Sequence, residues 1–370
     1  MASGSGTVRA HSFYAYVPLV RCPEPPEGIS FATGWHRFIG IPNFWICSKC
    51  YVNWIEKTTF VKHCEPFFHD PLPGARCVCQ FNTERAKRLL VASVETGDDM
   101  GLLHYAYKRS QINSCGGPVG VEGGHRLKWF TNPDIPGFLS CEACFEDYIL
   151  ATPVAAKFIA RDVRDHQSRD VWHCDLSVPY IKRNLLQHGK PGSWHLFVDA
   201  AKHRITLPHC KSEVALRSRN WSRPIDQRLK MRICESCMLD HFDGLSTTKK
   251  FTTDSIEGLP DYVEIENCDF LMPSMRYATL QLFANYEMWQ DAASRIVAKP
   301  EYDMSATCFG DKWNPTSEVP NFNVCKPCYF GLIHPAGFDA FFRLKAYPYG
   351  LDRTCDLCNG GSRSASVRRR

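Results

Sequence analysis

At four places along the chain, apolar or aromatic residues recur one, four and five positions beyond the second cysteine of a Cys-x-x-Cys pair: Tyr51, Trp54 and Ile55; Phe145, Tyr148 and Ile149; Met238, His241 and Phe242; Tyr329, Leu332 and Ile333. Spacing of i, i+3 and i+4 gathers side chains on one face of a helix. The pattern therefore predicts four helices, each starting at a cysteine pair and turning that face to a core. Three longer stretches also read as helical. "ERAKRLLVASVETGDDMGLLHYAYKR" is interrupted at Gly97, "YIKRNLLQHGKPGSWHLFVDAAKHRI" is split by Gly189, Pro191 and Gly192, and "SMRYATLQLFANYEMWQDAASRIV" is almost free of breakers. Each is expected to form a helix pair joining one cysteine segment to the next.

The pairs belong to a longer pattern. Their first cysteines, Cys47, Cys141, Cys234 and Cys325, are 94, 93 and 91 residues apart, a near-constant period that marks an internal repeat. Phe44, Phe138, Met231 or Phe322 stands three residues before each first cysteine, and Trp35, Trp129, Trp221 or Trp313 twelve or thirteen before it. Large apolar side chains at fixed places in a repeat are assigned to a core. A single cysteine precedes each tryptophan (Cys22, Cys115, Cys210, Cys308) and another follows each pair (Cys79, Cys174, Cys268, Cys355).

The expected fold is α+β and helix-rich, with four tandem zinc-stabilised modules of about 93 residues. Each module is to contain short loops or hairpins, a Cys-x-x-Cys at a helix start and a connecting helix pair, in a quasi-linear array whose neighbours bury one another's faces. The boundaries run as a flexible N-terminus over 1–14, modules over 15–112, 113–207 and 208–306, a truncated module over 307–359 and a disordered Ser/Arg tail over 360–370.

Composition defines the chemistry. The 370 residues include 19 cysteines, an odd number that cannot all pair within the chain. The start, "MASGSGTVRAHSFYAYVPLV", lacks the basic and apolar regions of a secretory signal. The expectation is a soluble protein, nuclear or cytoplasmic, without membrane insertion. In a reducing compartment, closely spaced cysteines point to metal ligands ahead of disulfides.

Four thiolates arranged tetrahedrally make a structural zinc site, and a Cys-x-x-Cys turn lets two sulfurs reach one ion. The preferred sets are Cys22, Cys47, Cys50 and Cys79; Cys115, Cys141, Cys144 and Cys174; Cys210, Cys234, Cys237 and Cys268; and Cys308, Cys325, Cys328 and Cys355. They predict about four zinc ions per chain and leave Cys64, Cys77 and Cys358 over. A second scheme stays open, in which each pair takes its downstream cysteine and the next upstream one; Cys355 and Cys358 then share the last ion, and Cys22 is free. His173 and His209 adjoin proposed ligands and His63 and His69 lie near Cys64; all four are read as surface residues or as neighbours outside the ligand set.

Charge argues against a basic folded body. Arg363, Arg368, Arg369 and Arg370 lie in the tail, and without them the formal charge of +5 falls to +1. A nucleic-acid footprint is confined to "SRSASVRRR" and the stretch "RSRNWSRPIDQRLKMR" over 217–232. "CKPC" alone resembles a thiol oxidoreductase motif, but its sisters carry Ser48-Lys49, Glu142-Ala143 and Glu235-Ser236 in place of Lys326-Pro327. A catalytic zinc needs an open position and a nearby acid or base, whereas these sets are closed by four sulfurs. "SCGGPVGVEGGH" lacks the spacing of a phosphate loop.

The signature of an upstream cysteine, a tryptophan, "F-x-x-C-x-x-C-[YF]" and "C-D-[FL]" resembles a group of cysteine-rich, repeat-containing proteins of filamentous fungi, over residues 20–358. The resemblance implies no activity. Gln80 in place of the aspartate, Met238 in place of an aromatic, and the short fourth copy depart from it. The functional expectation is a non-enzymatic zinc-binding repeat protein acting as a scaffold for protein partners. Nucleic-acid association through the tail is the first alternative, and thiol-disulfide chemistry the second.

Overall fold

The computed structural model describes residues 19, 22–24, 28–72, 74–117, 120–123, 127–161, 171–208, 210, 220–226, 229, 231–255, 268–271, 273–282, 285–297, 312–315, 323–334, 337–345 and 355. The fold mixes helix and antiparallel sheet, with four cysteine clusters in tandem. The chain divides into two compact units, Met1–Ile205 and Thr206–Arg370.

In the first unit, β1 (Thr33–Phe38) and β2 (Ile41–Cys47) form a hairpin whose turn needs the left-handed Gly40, φ 81°. A three-residue helix α1 (Ser48–Cys50) follows, and β3 (Cys64–His69) returns to the other edge of β1. The helix pair α2 (Glu84–Thr96) and α3 (Met100–Ser110) comes next. Thr83 caps α2 by accepting from the Ala86 N–H, and Gly97 ends it at φ 74°. The same succession then recurs: β4 (Val121–Glu122), β5 (Trp129–Asn132), β6 (Ile135–Cys141), α4 (Glu142–Asp147), β7 (Ile159–Ala160), β8 (Val171–Trp172), α5 (Pro179–His188) and α6 (Trp194–Thr206). Strands β4 and β8 add a small ribbon of their own.

The second unit holds β9 (Asn220–Pro224), β10 (Ile233–Cys234), α7 (Glu235–Phe242), β11 (Phe251–Ser255), α8 (Pro273–Leu282), α9 (Tyr286–Val297), β12 (Lys312–Pro315), β13 (Val324–Cys325), α10 (Lys326–Cys328) and β14 (Phe342–Lys345). Asn285 divides the stretch that looked continuous in sequence, its Oδ1 accepting from the Met288 N–H at 3.2 Å.

Four three-stranded sheets share one order: β2-β1-β3, β6-β5-β7, β10-β9-β11 and β13-β12-β14. The tryptophan strand is central in each. Trp35, Trp129 and Trp221 sit opposite Cys47, Cys141 and Cys234 and are at most 7% exposed. In the fourth sheet the register moves by one, so that Lys312 faces Cys325 and Trp313 faces Val324. Pinning the cysteine-bearing strand beside a buried indole fixes where the next turn of chain begins.

Helices start at the cysteine pairs as expected, each with its first cysteine as an extended N-cap. In the first and fourth the winding then departs from a regular α-helix. Tyr51–Ile55 and Tyr329–Ile333 are π-turns, closed by Glu56 N–H to Tyr51 O and His334 N–H to Tyr329 O, both 2.9 Å. Ile55, Ile149 and Phe242 are fully buried as the periodicity requires, but the wider turn carries Trp54 out to 38% exposure, with the Lys87 ammonium 5.2 Å from its ring. Within the first unit, α2 packs on α4; within the second, α8 and α9 pack on α10 and 329–333. A helix pair that follows one cysteine cluster thus closes on the cysteine-pair helix of the next.

Gly331 lies where the second of these contacts is tightest, since a Cβ there would come within 2.7 Å of the Ser274 carbonyl oxygen. Gly331→Ala is expected to lose about 1–3 kcal/mol by overpacking, read as a lower urea midpoint. An unchanged midpoint would show that α8 is free to move aside.

Candidate metal centres

Each of the three complete clusters draws its sulfurs from three chain segments. The sheet delivers the first cysteine at the end of a strand, the helix turn brings the second, and an upstream and a downstream segment supply the others. Cys22, Cys47, Cys50 and Cys79 have sulfurs within 4.8 Å of one another, as do Cys115, Cys141, Cys144 and Cys174, and Cys210, Cys234, Cys237 and Cys268. Cys325, Cys328 and Cys355 meet in the same way, while Cys308 lies outside the described residues. The upstream cysteine therefore joins the pair of its own segment in the three complete clusters.

All described cysteines are free thiols. The Cys50 and Cys22 sulfurs are 3.6 Å apart, well beyond the ~2.05 Å of a disulfide. Two thiolates on a tetrahedral ion with bonds of ~2.3 Å stand about 3.8 Å apart, so the spacing suits ligands around one metal.

One hydrogen bond is common to all four clusters. The N–H of the first cysteine of the pair donates to the sulfur of the downstream cysteine: Cys47 to Cys79 at 3.4 Å, Cys141 to Cys174 at 3.4 Å, Cys234 to Cys268 at 3.3 Å and Cys325 to Cys355 at 3.2 Å. Such donors favour the ionised sulfur that a metal binds. The Cys50 N–H donates to the Cys47 sulfur and the Gly117 N–H to the Cys115 sulfur, each at 3.4 Å.

A second clip lies just beyond the downstream cysteine. Asp175 Oδ2 accepts from the Leu139 N–H at 2.7 Å, and Asp269 Oδ2 from the Arg232 N–H at 2.6 Å. Both donors stand two residues before the first cysteine of their pair. Gln80 does the same work, its Oε1 accepting from the Trp45 N–H at 2.8 Å. The aspartate of the sequence pattern thus serves as a backbone acceptor, and glutamine takes the same place in the first cluster. Burial pushes the Asp175 carboxyl up to about 6. The next residue, Phe81, Leu176 or Phe270, is buried and anchors the clip in the core.

The upstream arm is tied less uniformly. Ser48 Oγ accepts from the Leu19 N–H at 2.9 Å, the Cys79 N–H donates to Pro23 O at 2.7 Å, and Ser236 Oγ donates to Pro208 O at 2.6 Å. Serine inside the Cys-x-x-Cys turn anchors this arm in the first and third clusters.

Electrostatics within each complete set divides the sulfurs. Burial opposes ionisation of Cys79, but hydrogen bonds from Cys22, Cys47 and Cys50 outweigh it and bring its thiol down. Hydrogen bonds from the other three sulfurs bring Cys115 and Cys234 down against burial. Sulfur neighbours and burial drive Cys22, Cys144 and Cys237 up. Four crowded sulfurs, most of them buried, thus cannot all hold negative charge unaided. A divalent cation at their centre removes that conflict, which is why this donor set fits a thiophilic metal.

The remaining candidates stay apart from the clusters. Burial pushes the Cys64 thiol up to about 12 and raises Cys77. His63 Nε2 lies 2.6 Å from Asp99 Oδ2, and the His69 ring lies edge-on to Trp45. His173 enters none of the clusters among the described residues, and His209 and Cys358 lie outside those residues. Asn220, beside the tryptophan of the third repeat, donates from Nδ2 to Glu235 at 3.0 Å. Compared with protein-family models, curated proteins and solved structures, the chain matches none.

Gln80→Leu removes the acceptor of the Trp45 N–H and leaves a shorter, apolar side chain in its place. It is expected to lower stability by about 1–3 kcal/mol, measured by urea denaturation of the metal-loaded chain. Gln80→Glu keeps an acceptor and should restore most of the loss; if both variants match the parent, the clip carries no weight.

Proposed function

We propose that this chain is a tandem zinc-binding protein whose modules are built for interaction with other proteins, without catalysis of their own. The reading rests on one observation: the described part of every cluster carries the same sulfur arrangement, with the first-cysteine N–H directed at the downstream sulfur. In this reading the four cysteine sets hold one zinc each, with Cys308 completing the fourth. Four sulfurs saturate a tetrahedral ion and leave no position for substrate, so each ion acts as a structural clasp.

A four-sulfur donor set also accepts iron, and the two metals separate by colour and mass. No described helix is long and apolar enough to cross a membrane. Intracellular placement, in nucleus or cytoplasm, follows from the reducing conditions that free thiolate ligands require. Residues 360–370, the basis of the nucleic-acid alternative, lie outside the described residues.

Native mass spectrometry of the reduced 42.2 kDa chain is expected to find about four zinc ions and no visible absorption from iron. A chain carrying one ion or none, or one whose thiols all titrate freely without metal release, would overturn the proposal.

A further inference from the structure

The charged network between α3 and α4 lies outside every cluster, yet it touches two of them. Arg109 is 2% exposed and its Nε donates to Asp147 Oδ1 at 2.9 Å and Oδ2 at 3.1 Å, while its Nη1 donates to Ile112 O at 3.0 Å. Asp147 is three residues past Cys144, and Ile112 three residues before Cys115. One guanidinium therefore holds both the pair helix and the upstream arm of the second cluster.

The same network reaches back to the first cluster. Thr83, four residues past Cys79, lies 3.0 Å from Tyr105 OH, which donates to Asp147 Oδ1 at 2.7 Å. Arg85 and Lys108 both reach Glu146 at 2.5 Å, and Arg88 Nη1 donates to Ala151 O. Glu146 and Asp147 are 3% and 5% exposed. A buried carboxylate deprived of its cation is strongly unfavourable, so α4 keeps its place only when α2 and α3 are folded beneath it. Cys79, Arg109, Cys115, Cys144 and Asp147 line one small cleft, which brings ligands of both clusters to a shared wall.

We propose that Arg109 is a positioning residue for the second metal centre and that loading of the first and second centres is cooperative through it. This rests on the zinc reading above. Metal at the first cluster orders the segment that Thr83 caps; the folded α2–α3 pair then presents Arg85, Lys108 and Arg109 to Glu146 and Asp147; and the second cluster closes. Linkage makes the effect reciprocal, so metal at the second centre strengthens the first by the same factor. In the second unit the matching contact is made by packing, with Gly331 against Ser274 and Arg295 5.1 Å from the Phe330 ring.

The test uses the full metal-free chain, titrated with zinc against a competing chelator under reducing conditions. Quenching with N-ethylmaleimide and peptide mapping reads protection at each cysteine separately. Replacing Cys47→Ser and Cys50→Ser together is expected to raise the free zinc that half-protects Cys115 and Cys144 by about tenfold, leaving the midpoint of Cys234 and Cys237 unchanged. Arg109→Met should shift the second centre similarly, and removing the first centre in that background should then add less than it does in the parent, since Arg85 and Lys108 still reach Glu146. Tyr105→Phe, which keeps the ring, should shift it in the same direction by less. A second-centre midpoint within twofold of the parent after loss of the first, or full additivity with Arg109→Met, overturns the coupling. Absence of zinc protection at every cysteine overturns the zinc reading instead.

Discussion

The described architecture depends on a single recurring hydrogen bond, from the N–H of the first cysteine of each pair to the sulfur of the downstream cysteine. That contact joins segments 30 to 34 residues apart. In the first three clusters it brings the end of one strand to the start of the following helix pair, and the neighbouring acceptors Gln80, Asp175 and Asp269 hold the same junction from the other side. The tryptophan opposite the first cysteine keeps that strand in register. Sheet, turn and helix pair thus meet at the sulfur cluster.

Such a design suits segments with modest cores. Among the described residues around the fourth cluster, the buried apolar set is Val324, Cys325, Cys328, Tyr329 and Cys355, three of the five being cysteines. Small folds of this kind gain stability from a bound metal, whose apparent contribution is on the order of 10–16 kcal/mol at a structural zinc site. Without the ion, the hydrogen bonds that ease ionisation of Cys79, Cys115 and Cys234 come from neighbours such as Cys22, Cys144 and Cys237 that are driven the other way; a cation would turn the same crowding into coordination. The two clips also differ in nature. A backbone acceptor can be aspartate or glutamine, because only an oxygen at the right place is needed, whereas a sulfur ligand has no such substitute.

Neighbouring segments are joined by contrasting means. Between the first two, buried Arg109, Glu146 and Asp147 form a network whose members each need the others. Removing one leaves buried charge unmatched, which makes the junction sensitive to the state of both sides. Between the last two, close packing at Gly331 and Phe330 serves. Periodicity cannot reveal the first kind of contact, because Arg109 and Asp147 look like ordinary solvated charges on their own helices.

Much of this was legible in the residues themselves. The near-constant spacing of Cys47, Cys141, Cys234 and Cys325 marked the segments, and the apolar positions after each pair placed helix starts correctly, because ligand spacing and helical period are local properties. The breaks at Gly97 and Gly189 were local too. Tertiary structure alone decided which upstream cysteine joins which pair, since two groupings satisfied the same spacing and only the folded path brings Cys22 beside Cys50. It also decided the central place of the tryptophan strand in each sheet and the use of Gln80 as an acceptor. These depend on distances between segments far apart in the chain, which no sequence period encodes.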